Sequence, residues 1–125
     1  MNSGVLHTME ALAHTLSLRR LERGQLLFAA EEPGNTIFAV ISGSVELSWG
    51  DGPGEHFGPG DVFGVGALVS DGHRRHGTAR AQEASELMEM TREQFLFAVQ
   101  ETPMFALELM AALERRLRRL ENSED

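Results

Sequence analysis

A chain of 125 residues, 42% hydrophobic and 24% charged, has room for one packed core and not for a second. It contains no cysteine, which removes disulfides, thiol nucleophiles and iron–sulfur ligation, and no lysine, which removes the phosphate-binding loop of nucleoside triphosphatases. A formal charge of −8 repels nucleic acid unless cations gather on one face.

The first eight residues have neither the basic nor the apolar region of a secretory signal, and no apolar run is long enough to cross a bilayer. A soluble cytoplasmic protein without membrane contact is the expectation. Residues 1–22 read as a short helix and lead-in, with Met9 to Leu16 as an amphipathic helix. From Gly24 to Gly72 glycines recur about every ten residues and separate short β-rich runs. These runs predict strands at Gln25 to Ala29, Thr36 to Ser42, Ser44 to Trp49, Glu55 to Phe57, His76 to Ala81 and Glu86 to Thr91, a β-roll over residues 23–91. Pro33-Gly34 suits a type II turn with Gly34 at positive φ, and Gly43 serves the next hairpin. Ile37, Val40 and Val45 supply the inward face.

Residues 92–122 read as helices. Thr91 is placed to cap Arg92 to Gln100, which carries Phe95, Leu96 and Val99 at helical spacing. Pro103 opens a long helix to about Asn122, where Ala106, Met110, Leu113, Leu117 and Leu120 recur at alternating steps of four and three. Such a seam packs either on its own domain or on a second copy of itself. Arg115, Arg116, Arg118 and Arg119 beside it read as solvated charge near the helix C-terminus in preference to a nucleic-acid patch. The residues predict one mainly-β domain over residues 1–125 with a short N-terminal and a long C-terminal helix.

One stretch points to chemistry. It runs from Phe57-Gly-Pro-Gly-Asp61 through Phe63-Gly64-Val65-Gly66-Ala67-Leu68 to Arg75-His76-Gly77-Thr78. A glycine turn entering a single helical turn offers free amides to an anion, and a guanidinium a little further on closes over it with charge-assisted bonds. Glycines there also serve simply as turn residues.

With these residues the chain resembles the cyclic nucleotide-binding domain family, in particular the sensor half of the bacterial catabolite-activator and oxygen-regulator transcription factors. That family's phosphate-binding cassette reads approximately Phe-Gly-Glu-x-Ala-Leu followed by Arg-x-Ala-Thr or Arg-Ser-Ala, and Gly64 and Arg75 match it in type and spacing. The resemblance implies a double-stranded β-helix, a jelly-roll-like β-roll, and a non-enzymatic sensory module. It implies a ligand site of Gly64, Val65, Gly66, Ala67, Leu68, Arg75, His76 and Thr78, no covalent cofactor, and a cyclic nucleotide (cAMP or cGMP) or related phosphorylated molecule as ligand. Met110, Leu113, Leu117 and Leu120 would then form the dimer or lid helix that carries the signal to a second copy or a partner protein.

Two departures bear on the ligand. Val65 stands where the family's glutamate holds the ribose 2′-hydroxyl, and a buried hydroxyl without its partner costs about 1–3 kcal/mol, roughly tenfold to a hundredfold in affinity. Leu120 and Glu121 stand where the catabolite activator reads adenine with two hydroxyl side chains. The family's transcription factors continue into a DNA-reading domain, whereas this sequence stops at Asp125 after an acidic tail, so neither a DNA-binding domain nor direct DNA binding is expected. One alternative is a degenerate, ligand-free domain that acts by dimerisation or protein contact. Another is a cupin-like metal enzyme, but the five histidines, His7, His14, His56, His73 and His76, form no His-x-His with a following glutamate. Ser42, Ser44, Ser48 and Ser70 lack a nucleophile-elbow context. No metal ligand and no catalytic residue is assigned, and no enzymatic activity is expected.

Overall fold

The structure, a computed structural model, describes residues 4–12 and 14–123. Ala13 within the predicted first helix and the tail residues Glu124 and Asp125 lie outside the described residues.

Eight short strands pair into two antiparallel sheets of four. The first sheet orders β1 (Ser17–Leu21), β8 (Ser85–Thr91), β3 (Thr36–Ser42) and β6 (Val62–Phe63). The second orders β2 (Leu26–Phe28), β7 (Thr78–Ala81), β4 (Val45–Ser48) and β5 (Glu55–Phe57). The helices are α1 (Gly4–Ala11), α2 (Val65–Val69), α3 (Arg92–Glu101) and α4 (Met104–Ser123). This is the mainly-β roll with a short N-terminal and a long C-terminal helix that the turn rhythm predicts.

Strand β3 explains why the roll needs its helices. Its four central residues are all buried, and because side chains alternate across a strand they feed two different cores. Phe38 and Val40 point into the roll with Phe28, Val45, Phe57, Phe63 and Leu87. Ile37 and Ala39 point outward onto Met88, Met90, Val5, Met9, Phe105 and Leu109, an apolar face that would meet water without α1, α3 and α4. Inside the roll the rings of Phe28, Phe38, Phe57 and Phe63 form a chain with centroids 4.9–6.3 Å apart.

Several expectations need correction. The N-terminal helix lies at Gly4–Ala11 and not at Met9 to Leu16, because Val5 and Met9, four residues apart, are the pair it buries. Strand β1 was not foreseen, and it extends the roll below residue 23. Its sequence, SLRRL, has no apolar alternation, since it is an edge strand fastened by the cross-strand ion pairs Arg19–Glu89 and Arg20–Glu86, both at 2.9 Å. Strand β6 is two residues long, too short to show a period. Gly34 does not take positive φ; that conformation falls at Glu31 and His73.

Helix α3 begins as predicted, with the Thr91 hydroxyl accepting from the Gln94 amide and the Gln94 side chain accepting from the Thr91 amide. In α4 the predicted seam divides. Phe105 and Leu109 are buried, and Ala112 and Leu113 pack against the same core. Met110 and Leu117 are exposed, as are Met104 and Leu107. The face that docks on the domain sits one step around the helix from the seam, so Leu113 lies on the border of both and Ala106 and Leu120 are half-buried.

Candidate ligand-binding site

The buried end of β6 delivers the chain to Gly64, whose φ of 93° is left-handed and therefore suits a residue without Cβ. That bend starts α2. No side chain caps its first turn, so the amide hydrogens there have no intrahelical partner. Beside this turn lies a cleft of about 270 Å³ lined by Gly64, Val65, Gly66, Ala67, Arg75, His76 and Gly77, with Phe28, Leu47, Trp49 and Arg116 closing it.

Arg75 is 5% exposed, and its guanidinium lies 4.4 Å from the ring centre of Phe28 and 5.4 Å from that of Phe38. Its Nη1 donates to the carbonyls of Thr36 (2.9 Å) and Gly64 (3.3 Å), and its Nη2 donates to the Thr36 hydroxyl (2.9 Å). Three of its five N–H groups thus hold the cassette bend to the start of β3, while Nε and the second hydrogen on Nη2 have no acceptor among the described residues. Burial pushes its pKa below the usual guanidinium value, and the charges of Glu89 and Glu32 draw it back up. Gly34 is glycine for a reason unrelated to turn type: a Cβ there would fall on Arg75 Nε and within 2.8 Å of its Cζ.

His76 is exposed, and its Cδ2 would lie 2.9 Å from a Cβ at position 66, so the imidazole edge covers Gly66. The His73 ring donates through Nδ1 to the Ala67 carbonyl at 2.8 Å and holds the loop to α2.

On the opposite side, Glu55 of β5 is buried and accepts from Arg116 Nε at 2.8 and 3.0 Å on its two oxygens. The Arg116 guanidinium lies 5.2 Å from the centre of Phe57, and Arg119 approaches the same carboxylate at 3.5 Å. The long helix is therefore ionically fastened to the roll at the edge of the cleft.

Of the residues singled out from sequence, the cleft brings together Gly64, Val65, Gly66, Ala67, Arg75 and His76. It does not include Leu68, which packs in the core beneath the helices, or Thr78, whose hydroxyl accepts from the Ala30 amide between strands. Sequence reasoning missed the apolar wall of Phe28, Leu47 and Trp49. It also missed the Glu55–Arg116 pair, although the one tryptophan in a glycine-rich stretch and a carboxylate alternating with Phe57 were both visible signals. Among the described residues no three His, Cys, Asp or Glu side chains gather as a metal site.

A family model described as the cyclic nucleotide-binding domain matches residues 18–102. The chain belongs to the cyclic nucleotide-binding domain family. The domain is 34% identical to the cyclic AMP receptor protein of Thermus thermophilus over 113 residues, 86% of this chain and 52% of that protein. It is 28% identical to a CRP-like cAMP-activated global transcriptional regulator of Mycobacterium tuberculosis over 97% of this chain and 58% of that protein. The chain thus spans little more than half the length of these curated relatives. Among solved structures, it superposes with a TM-score of 0.78 and 29% identity on one described for a cyclic-GMP-dependent signalling pathway that regulates bacterial phytopathogenesis. That match covers 98% of this chain and 95% of the other. The catabolite activator protein of Thermus thermophilus gives 0.77 and 28% over 95% of this chain and 58% of its own. In this domain Gly64 to Ala67 line the cleft, and Val65 there is apolar and half-buried.

Proposed function

We propose that this cyclic nucleotide-binding domain senses a cyclic nucleotide in the cleft between α2 and β4 and passes occupancy to α4. The observation that carries the reading is Arg75, a guanidinium buried inside the roll beside uncapped amides, with hydrogens left over after bracing the cassette. A cyclic phosphate accepting from those amides and from Arg75 satisfies both. His76 stands at the mouth to contact the same group, and Trp49 and Leu47 offer a flat apolar wall to a purine. The role is regulatory, in keeping with the cAMP-activated regulator it resembles.

Because Arg116 lines the cleft while the rest of α4 lies outside it, a ligand that engages Arg116 biases the position of the helix. The outward residues Met104, Leu107, Met110 and Leu117 favour a second copy of the chain as the partner of that helix. A role in transcription through the longer proteins it resembles is part of this proposal, as is a cytoplasmic location.

The test is titration calorimetry with cAMP, cGMP and cyclic di-GMP, paralleled by Trp49 fluorescence, since the single tryptophan lines the cleft. Saturable binding of one of them, weakened at least tenfold in Arg75→Lys, is the expected result. Heat-free titrations with all three would leave a ligand-free scaffold as the correct reading.

A further inference from the structure

The cleft has a second guanidinium that the cassette does not account for. Arg116 enters from α4, and its surroundings fix which of its edges is available. Nε is held against both oxygens of Glu55, a carboxylate only 6% exposed, and Phe57 backs the guanidinium plane. The terminal Nη1 and Nη2 groups have no acceptor among the described residues, although Arg116 lines the cleft. A clamped guanidinium with a free pair of parallel donors is a two-pronged reader of two adjacent acceptors.

We infer that Arg116, positioned by Glu55, reads the base of the ligand and selects guanine over adenine. Guanine presents O6 and N7 side by side as acceptors, which match the two terminal nitrogens. Adenine presents N7 beside the N6 amino donor, which would set hydrogen against hydrogen. The surroundings fit a base better than a sugar hydroxyl or a second phosphate. The wall beside Arg116 is Leu47 and Trp49, an apolar surface suited to stacking, and the Glu55 carboxylate already offsets the guanidinium charge. Val65 leaves the ribose contact empty, so the discrimination that remains falls on the base. This inference rests on the sensor reading above and adds the class of ligand to it: a cyclic nucleotide with a 6-oxopurine.

The experiment compares cGMP, cyclic IMP, cAMP, cyclic di-GMP and cyclic di-AMP by calorimetry on the full chain. Cyclic IMP carries O6 and N7 but lacks the guanine amino group, so it isolates the contact in question. Expected are cGMP and cyclic IMP binding at least about tenfold more tightly than cAMP, in line with the discrimination of one bidentate arginine–guanine pair. Arg116→Lys, which keeps a positive charge opposite Glu55 and so protects the fold, is expected to erase that preference. Equal or tighter binding of cAMP, or cyclic IMP behaving like cAMP, overturns the base-reading role and leaves the sensor reading standing. Cyclic di-AMP binding as tightly as cyclic di-GMP, and more tightly than cGMP, would assign Arg116 to a second phosphate and likewise overturn it. No binding by any of these nucleotides overturns both.

Discussion

In the proposed reading Arg75 divides its hydrogens between two tasks. Its bonds to Thr36 and to the Gly64 carbonyl brace the cassette bend, and charged hydrogen bonds of this kind contribute about 1.5–3 kcal/mol each when buried. The rings of Phe28 and Phe38 pack against the guanidinium, and its Nε faces Gly34. Gly34 shares this packing, and it gives a test that keeps every side chain of the cleft while shifting Arg75. Its backbone is not left-handed, so Gly34→Ala meets no backbone strain, only the collision of the new methyl with Arg75. The expected outcome is a loss of about 1–3 kcal/mol in urea unfolding together with at least tenfold weaker ligand binding. Unchanged binding in that variant would mean that the guanidinium position is not what orders the cassette.

At the scale of elements, α4 is held by unlike contacts along its length. Near its start Phe105 and Leu109 are fully packed; further along, attachment depends on Glu55 and Arg116. Removing one partner of a buried pair strands the other charge, at a cost of about 3–5 kcal/mol when both are fully buried. Arg116 is 22% exposed, so Glu55→Ala is expected to cost less, about 1–3 kcal/mol. Amide hydrogen exchange is expected to rise along α4 beyond Leu113, while β3 and β8 stay protected. The outward apolar residues make a separate prediction. Met110→Glu places a charge in that stripe without touching the domain core, and sedimentation velocity is expected to show a dimer reduced to monomer with the fold intact. A wild-type monomer at high micromolar concentration would end the dimer proposal.

For the whole molecule, the arrangement of two cores on either side of β3 links the site to the helices. The inner core holds Phe28 and Phe38 against Arg75, and the outer core holds Phe105 and Leu109 against β3 and β8. A ligand that binds only the folded state adds RT ln(1 + [L]/Kd), about 2.7 kcal/mol at a hundredfold excess over Kd. For a domain of this size that corresponds to a rise of roughly 10 °C in Tm. Scanning calorimetry with and without the cognate cyclic nucleotide is expected to show this shift in the wild type and to lose most of it in Arg75→Lys. A shift of equal size in both proteins would place the ligand elsewhere.

Local signals were legible without coordinates. Turn glycines spaced through a β-rich middle pointed to the roll, Thr91 marked the start of α3, and the Gly64 bend and Arg75 meet in one cleft, because each of these signals acts over a short stretch of contiguous chain. What the linear chain left open involves partners far apart in it. Strand β1 is a strand because β8 offers it an antiparallel partner and the roll buries Leu21, Gly34 is required because Arg75 lies on it, and Arg116 turns from surface charge into a cleft residue because Glu55 is buried opposite. The seam on α4 was likewise correct as a period but ambiguous as a direction. A helical repeat states which residues share a face, whereas only packing against β3 and β8 decides which face turns inward and which remains for a partner.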